Sequence, residues 1–464
     1  MTTRSLTLDF RQEAPLVSET PAVTASRLKA PPAETRGIGT SDLSADLGEL
    51  IPRAEAVRPN VLVRAAFYLS LFAIPFGHLY VPGTGGRVGV TRLVQLLILC
   101  GILSQPRACL RFVPTALFWF LGYIGLRMGL GFWLTPDQAG TWWPSSVEFV
   151  ELLPWAWVMF NVLQFPETRG GGLWALGLGC ALCALFHIAG IGVAAVENGL
   201  DNRSSVFGLN ANEVGADYAI AMIALLGLWM LQPRTWSQRL LPFPLMALVG
   251  IAMAKTGSRG AVLILMMGVF VLFCWGKTFG SLSRRLAALL ALGAVLAVIL
   301  WRIPTVMDRF GEINPQNIGH HNPRARMLPV LWKMFLQSPL YGSGPDNYEW
   351  KLTREAMPYL INQRKLIVAH NLVLQQMVET GIIGLLVFSI GLAKALASAW
   401  RARLKSCGPL PLALLLPLAI AAATVTHPDH YLIFWVAIAY ALAGAGWRDE
   451  TPPASNLAAP VAAN

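Results

Sequence analysis

Residues 381–400 read GIIGLLVFSIGLAKALASAW, an apolar block carrying a single charge. Its length suits the roughly 30 Å hydrocarbon core of a bilayer, where only a helix satisfies its own backbone hydrogen bonds. On both sides lie similar blocks, at about 61–82, 88–104, 112–134, 142–165, 171–196, 213–232, 239–254, 260–276, 286–301, 410–427 and 431–447. The expected fold is therefore an all-α polytopic membrane protein of about twelve spans. Composition agrees: of 464 residues 55% are hydrophobic and 13% charged, with mean hydropathy +0.53, against about a quarter charged in a soluble domain. Trp142, Trp143, Trp236, Trp275, Trp301 and Trp447 near block ends read as interfacial anchors.

Charge sets an orientation. The net charge of +11 comes without the basic stripe and interleaved aromatics of a nucleic-acid binder. With the N-terminus inside, the inner joints hold Arg107, Arg111, Arg169, Arg234, Arg239, Lys277, Arg284, Arg285, Arg401, Arg403 and Lys405. The short outer joints hold only Arg87, Arg203, Lys255 and Arg259, and that imbalance puts both termini on the cytoplasmic side. It also puts the one long joint, residues 302–369, outside, between the ninth and tenth spans. Residues 1–58, rich in Ala, Pro, Thr, Ser and Glu, read as a disordered cytoplasmic extension, and 449–464 as a disordered tail around a 59–448 membrane domain. Cys180 and Cys183 form a CxxC without a second ligand pair and read as small helix residues.

Three features could carry chemistry. In His370-Asn371-Leu372-Val373-Leu374-Gln375-Gln376-Met377-Val378-Glu379-Thr380-Gly381-Ile382-Ile383-Gly384, helical spacing puts His370, Leu374, Met377, Gly381 and Gly384 on one face. Glycines there would allow close helix approach. A boundary histidine can exchange a proton near neutral pH, or simply anchor the helix. Lys255-Thr256-Gly257-Ser258-Arg259-Gly260 is a tight outer turn before a helix, suited either to an anion or to snorkelling towards headgroups. Arg324 and Arg326 offer guanidinium forks to phosphate oxygens or line a solvated loop face, and helix is expected at Met327 to Gln337. Asp346 and Glu349 read as structural, and Glu213 and Asp217 as the main charges inside spans. A Walker loop and an HExxH are missing, and no metal or cofactor is expected.

These residues resemble the O-antigen ligase and O-antigen polymerase superfamily. His370-Asn371 followed after nine residues by Gly381-Ile382-Ile383-Gly384 looks like its HNx9GxxG signature, and Thr256-Gly257-Ser258-Arg259-Gly260 is similar to its SRG turn. Arg324 with Ser338-Pro339-Leu340-Tyr341-Gly342-Ser343-Gly344 resembles its R…PxxGxG loop, and Arg203, Phe207 and Asn210 to Glu213 its outer loop before a span. The resemblance implies a GT-C-like inverting glycosyltransferase of the bacterial inner membrane with a periplasmic active face. The donor it implies is an undecaprenyl-pyrophosphate-linked glycan, and the acceptor a glycan or lipid A–core. Flippase and chain-length regulator proteins would be partners, with no nucleic acid. It casts His370 as catalytic, Arg259, Arg324, Arg326 and Lys255 as pyrophosphate ligands, and Arg203, Asn371, Gly381 and Gly384 as supporting residues. A polymerase of O-antigen or exopolysaccharide is the near alternative, and a non-enzymatic lipid or polysaccharide transporter the distant one.

Overall fold

The computed structural model describes residues 58–79, 89–195, 204–231, 240–275, 323–356, 369, 371–422 and 431–447, with 281, 283 and 293 as isolated positions. The extension before residue 58, the block at 286–301 apart from Gly293, joint residues 302–322 and 357–368, and the tail from 448 fall outside them.

The helices are α1 (Val61–Phe72), α2 (Val90–Ser104), α3 (Thr115–Leu134), α4 (Ala139–Val162) and α5 (Pro166–Ala189). After a two-strand hairpin, β1 (Val193–Ala195) and β2 (Ser204–Val206), come α6 (Ala211–Leu231), α7 (Pro242–Thr256) and α8 (Arg259–Trp275). Then follow α9 (Pro323–Gln337), α10 (Asn347–Ala356), α11 (Leu372–Ala402), α12 (Leu410–Ala421) and α13 (Leu432–Gly444). The hairpin is antiparallel, with Val193 opposite Val206 and Ala195 opposite Ser204.

Four helices are individually long and apolar enough to cross a bilayer: Thr115–Leu134, Pro166–Ala189, Ala211–Met230 and Leu372–Ala402. Shorter apolar helices stand at other expected blocks, among them Val61–Phe72, Pro242–Thr256, Arg259–Trp275, Leu410–Ala421 and Leu432–Gly444. This is the build of a membrane protein. Beyond Asp217 helix α6 is apolar on every side, and 72% of its span window is buried, so it is a central helix rather than a lipid-facing one. In α13 every residue from Ile433 to Gly444 is buried. Close approach is carried by glycine, as membrane helices require without a water-driven squeeze. A Cβ at Gly179 would overlap the carbonyl of Phe72, and one at Gly268 would overlap Ile223.

The ends of the helices are marked locally. Asn60 caps α1 by accepting from Val63 N at 2.8 Å, and α5 ends on Gly190 in the left-handed region. Trp142 and Trp447 depart from the expected interfacial role. Trp142 is wholly buried and donates Nε1 to the Thr135 carbonyl at 3.0 Å. Trp447 is buried likewise and donates to the Leu163 carbonyl at 2.8 Å. Both indole N–H groups need a carbonyl acceptor, and helix ends supply one.

Outside the main apolar core, α9, α10 and the start of α11 share a second, smaller one. It is built from Met327, Leu331, Met334, Tyr348, Leu352 and Val378. This lobe is the described part of the long joint.

Candidate active site

The lobe is fastened to the bundle by an exchange of backbone hydrogen bonds. At Gly381 the chain takes φ 68 and ψ −168, which breaks α11 into two helices. A side chain scarcely tolerates that conformation. An unbroken helix would join Ile382 N to the Val378 carbonyl and Ile383 N to the Glu379 carbonyl. Instead Ile382 N donates to Pro339 O at 2.9 Å and Ile383 N to Leu340 O at 3.4 Å. The released carbonyls of Val378 and Glu379 accept from Ser343 N at 2.7 Å and Gly344 N at 3.1 Å. The loop 338–344 thus replaces one missing helical turn, and no backbone group is orphaned in the exchange.

This corrects the expected single face running from His370 to Gly384. The break at Gly381 resets the helical phase, so Gly384 does not continue the row of Leu374 and Met377. The glycines also serve different contacts from those expected. A Cβ at Gly381 would strike the Leu340 backbone, and one at Gly342 would strike the Glu379 backbone. A Cβ at Gly384 would strike Thr380 of its own helix, whose hydroxyl donates to the Gln376 carbonyl at 2.9 Å.

Beside this junction sits a charge network that the sequence reading missed. Arg127, fully buried in α3, ion-pairs with the fully buried Glu379 and donates to Asp346 Oδ1 at 3.0 Å. Ser145 on α4 bonds to Asp346 as well and accepts from Arg127 Nη2 at 3.2 Å. Gln375 Nε2 donates to Glu379 Oε1 at 3.0 Å, and the Phe149 ring lies 5.5 Å from the guanidinium carbon. One cation thus joins α3, α4, the α9–α10 turn and α11. Asp346 itself holds φ 56 at the foot of α10. Its expected structural role is met, though through a partner 219 positions away.

The start of α11 is fixed on both sides of position 370. Asn371 is the N-cap, its side chain accepting from Leu374 N at 3.0 Å, and Leu372 N donates to the Ala422 carbonyl at 2.9 Å. Ala369 N donates to the Tyr348 hydroxyl at 3.4 Å. Burial, with the Glu379 charge adding to it, pushes the Tyr348 phenol well above its usual range, so it stays protonated. His370 itself lies outside the described residues, as does Arg203. Arg324 and Arg326 are in the first turn of α9, which starts four residues ahead of the expected Met327; their side chains are outside the description.

The turn between α7 and α8 is built as expected. Gly257 closes α7 at φ 58, and Ser258 Oγ accepts from Ala261 N at 3.3 Å, capping α8. Arg259 is the first residue of α8 and is half-buried. Lys255 is exposed and donates Nζ to the Ile188 carbonyl at 3.3 Å, at the end of α5. Ser204 Oγ donates to the Lys255 carbonyl at 3.3 Å and lies 2.7 Å from His187 Nε2, tying the hairpin to this turn. Of the expected charges inside spans, Glu213 accepts from the Tyr431 hydroxyl at 2.6 Å, and Asp217 is buried in α6.

Helix direction relates the two regions. Trp275 and Trp400, at the C-terminal ends of α8 and α11, meet edge to face at 5.5 Å. At the other ends, Gly215 of α6 packs on Ser258, Glu213 bonds Tyr431 before α13 and Leu372 N bonds Ala422 after α12. The start of α12 meets the end of α13 at Pro411 and Gly444, so Arg259 and Asn371 lie at the same end of the bundle.

Residues 244–389 match the family model described as O-Antigen ligase. Over this segment the chain is similar to the O-antigen ligase family. The matched stretch holds Lys255, Arg259, the loop 338–344 and the Gly381 break, while Arg127 and Arg203 lie before it. The family is one of membrane glycosyltransferases of the O-antigen ligase and polymerase kind. No curated protein matches the chain.

Proposed function

We propose that the protein transfers a glycan from undecaprenyl pyrophosphate to an acceptor sugar at the periplasmic face of the bacterial inner membrane, as an O-antigen ligase. The observation that carries this is the interlock of loop 338–344 with the Gly381 break. It joins two stretches that resemble family motifs into one rigid junction, at the end of the bundle where Arg259 also lies.

The chemistry suits the residues at hand. The acceptor hydroxyl oxygen attacks the anomeric carbon, the bond to the pyrophosphate oxygen breaks, and the hydroxyl proton passes to His370 as general base. The departing pyrophosphate carries the bonding electron pair, and Arg259 with Arg324 or Arg326, assisted by Lys255, neutralises it. Pyrophosphate is a good leaving group, so the reaction requires no strong acid on that side. Attack opposite the leaving group inverts the anomeric centre.

The test is the lipopolysaccharide and secreted-glycan profile of a deletion strain, complemented with wild type, His370→Ala or Arg259→Ala. A ligase leaves full-length polymer on its lipid carrier, unattached, in the deletion strain and in both variants. Single repeat units on the core would instead identify an O-antigen polymerase. Loss of secreted polymer with intact lipopolysaccharide would identify an exopolysaccharide polymerase. Normal surface glycan with both variants at wild-type protein level would overturn the enzyme reading in favour of transport.

A further inference from the structure

At the end of the bundle opposite Arg127, a cavity of about 710 Å³ opens between the start of α3 and the ends of α4, α11 and α13. Lys394, Ser398 and Arg401 line it from α11. Their spacing of four and then three residues makes them one stripe on that helix. Arg401 Nη2 donates to Ser398 Oγ at 3.3 Å. No Asp or Glu lines the cavity among the described residues, and neither Lys394 nor Arg401 pairs with a described carboxylate.

A second source of positive potential faces the same space. Pro114 and Thr115 line the cavity at the start of α3, and that helix has no side-chain cap on its first N–H groups. Lys394 lies two turns inside the end of α11, about 12 Å along the axis. Lys394 and Arg401 are both exposed on the cleft wall, so an anion entering the cleft can reach either of them. The wall also says where the cavity sits. Trp400 lines it, with the Arg403 guanidinium 3.6 Å over the ring and Trp275 against its edge. Such aromatic and cationic clustering marks headgroup depth. Phe160 and Leu442 complete an apolar side, and the volume suits a phosphate with its glycerol better than a lone inorganic ion.

We infer that this cleft is a binding site for the phosphodiester headgroup of an anionic phospholipid, held by Lys394 and Arg401. It is remote from the junction at Gly381 and independent of the proposed transfer chemistry.

Native mass spectrometry of the purified full-length protein offered phosphatidylglycerol, phosphatidylcholine or inorganic phosphate tests this. Wild type should retain phosphatidylglycerol in preference to both others, and K394Q/R401Q should lower that retention by roughly tenfold or more. The single variants K394Q and R401Q should each lower it about threefold, which keeps the test decisive if the double variant does not fold. R107Q, on an exposed arginine that does not line the cleft, should leave retention unchanged. Equal retention of phosphatidylcholine, undiminished retention in the glutamine variants, or an equal loss in R107Q would overturn the site. Inorganic phosphate held as firmly as the lipid would overturn the lipid assignment.

Discussion

The two parts of α11, before and after Gly381, bury different chemistry. The first buries Gln375, Gln376, Glu379 and Thr380; the second buries Phe388, Gly391, Ala395 and Ala399. The first part is held by directional bonds, from loop 338–344 and from Arg127. The second is held by shape, with Phe388 edge-on to Phe120 at 5.4 Å and to Tyr123 at 5.3 Å. Packing in a bilayer tolerates small slides and rotations, because lipid tails are as apolar as the side chains they replace. Charged hydrogen bonds do not tolerate them. A reacting group next to the first part is therefore placed more sharply than packing alone would place it.

The largest break in that contrast should come from Gly381→Ala. The conformation is close to glycine-only and the new Cβ meets the Leu340 backbone, so a cost of at least ~3 kcal/mol is expected. It should appear as a large fall in the unfolding temperature in detergent, together with loss of glycan transfer. Arg127→Met comes next. It strands the fully buried Glu379 carboxylate and takes one partner from the half-buried Asp346, at about 3–5 kcal/mol. Arg127→Met combined with Glu379→Gln should recover a good part of this in a double-mutant cycle. A cost for Arg127→Met below about 1 kcal/mol would mean that the two parts are held alike.

Gly391→Ala probes the other part. Its Cβ would sit 3.0 Å from Phe120 Cε1, so a cost of about 1–2 kcal/mol is expected, with transfer per folded molecule unchanged. Reduced transfer at full stability would show that packing, too, positions the site. The smallest effect should be Tyr348→Phe, at about 1 kcal/mol, because Ala369 N–H loses its acceptor. The sign with pH also follows. Burial raises the Tyr348 phenol above its usual 10.0, so its contribution is whole below that value and fades as the pH rises through the raised one. The variant should lack that alkaline loss in a pH series of thermal melts.

Much of this architecture was legible in the sequence, because hydrocarbon imposes both length and composition on a helix. The turns were legible for a similar reason: Gly257 with Ser258, and Pro339 with Gly342, are residue types that few other settings demand. The Gly381 break was not. Gly381 and Gly384 fit helical spacing as well as they fit a break, and the loop that requires the break lies some forty residues earlier. Arg127 was hidden in another way. A lone arginine in YIGLRMGLGF gives no hint of its partner, and Glu379 stands 252 positions away. Periodicity reports which face is apolar, never which distant carboxylate will arrive there.

The exchange at Gly381 also imposes an order of assembly. Ribosomes deliver residues 338–344 before residues 378–383, so the loop's backbone groups have only water as partners until the later stretch arrives. It closes once α11 has been handed to the lipid and its broken turn stands at the surface. Completion of the lobe is thus a built-in report that this helix has been correctly threaded. A chain that misplaces α11 leaves the loop without the partners the break supplies.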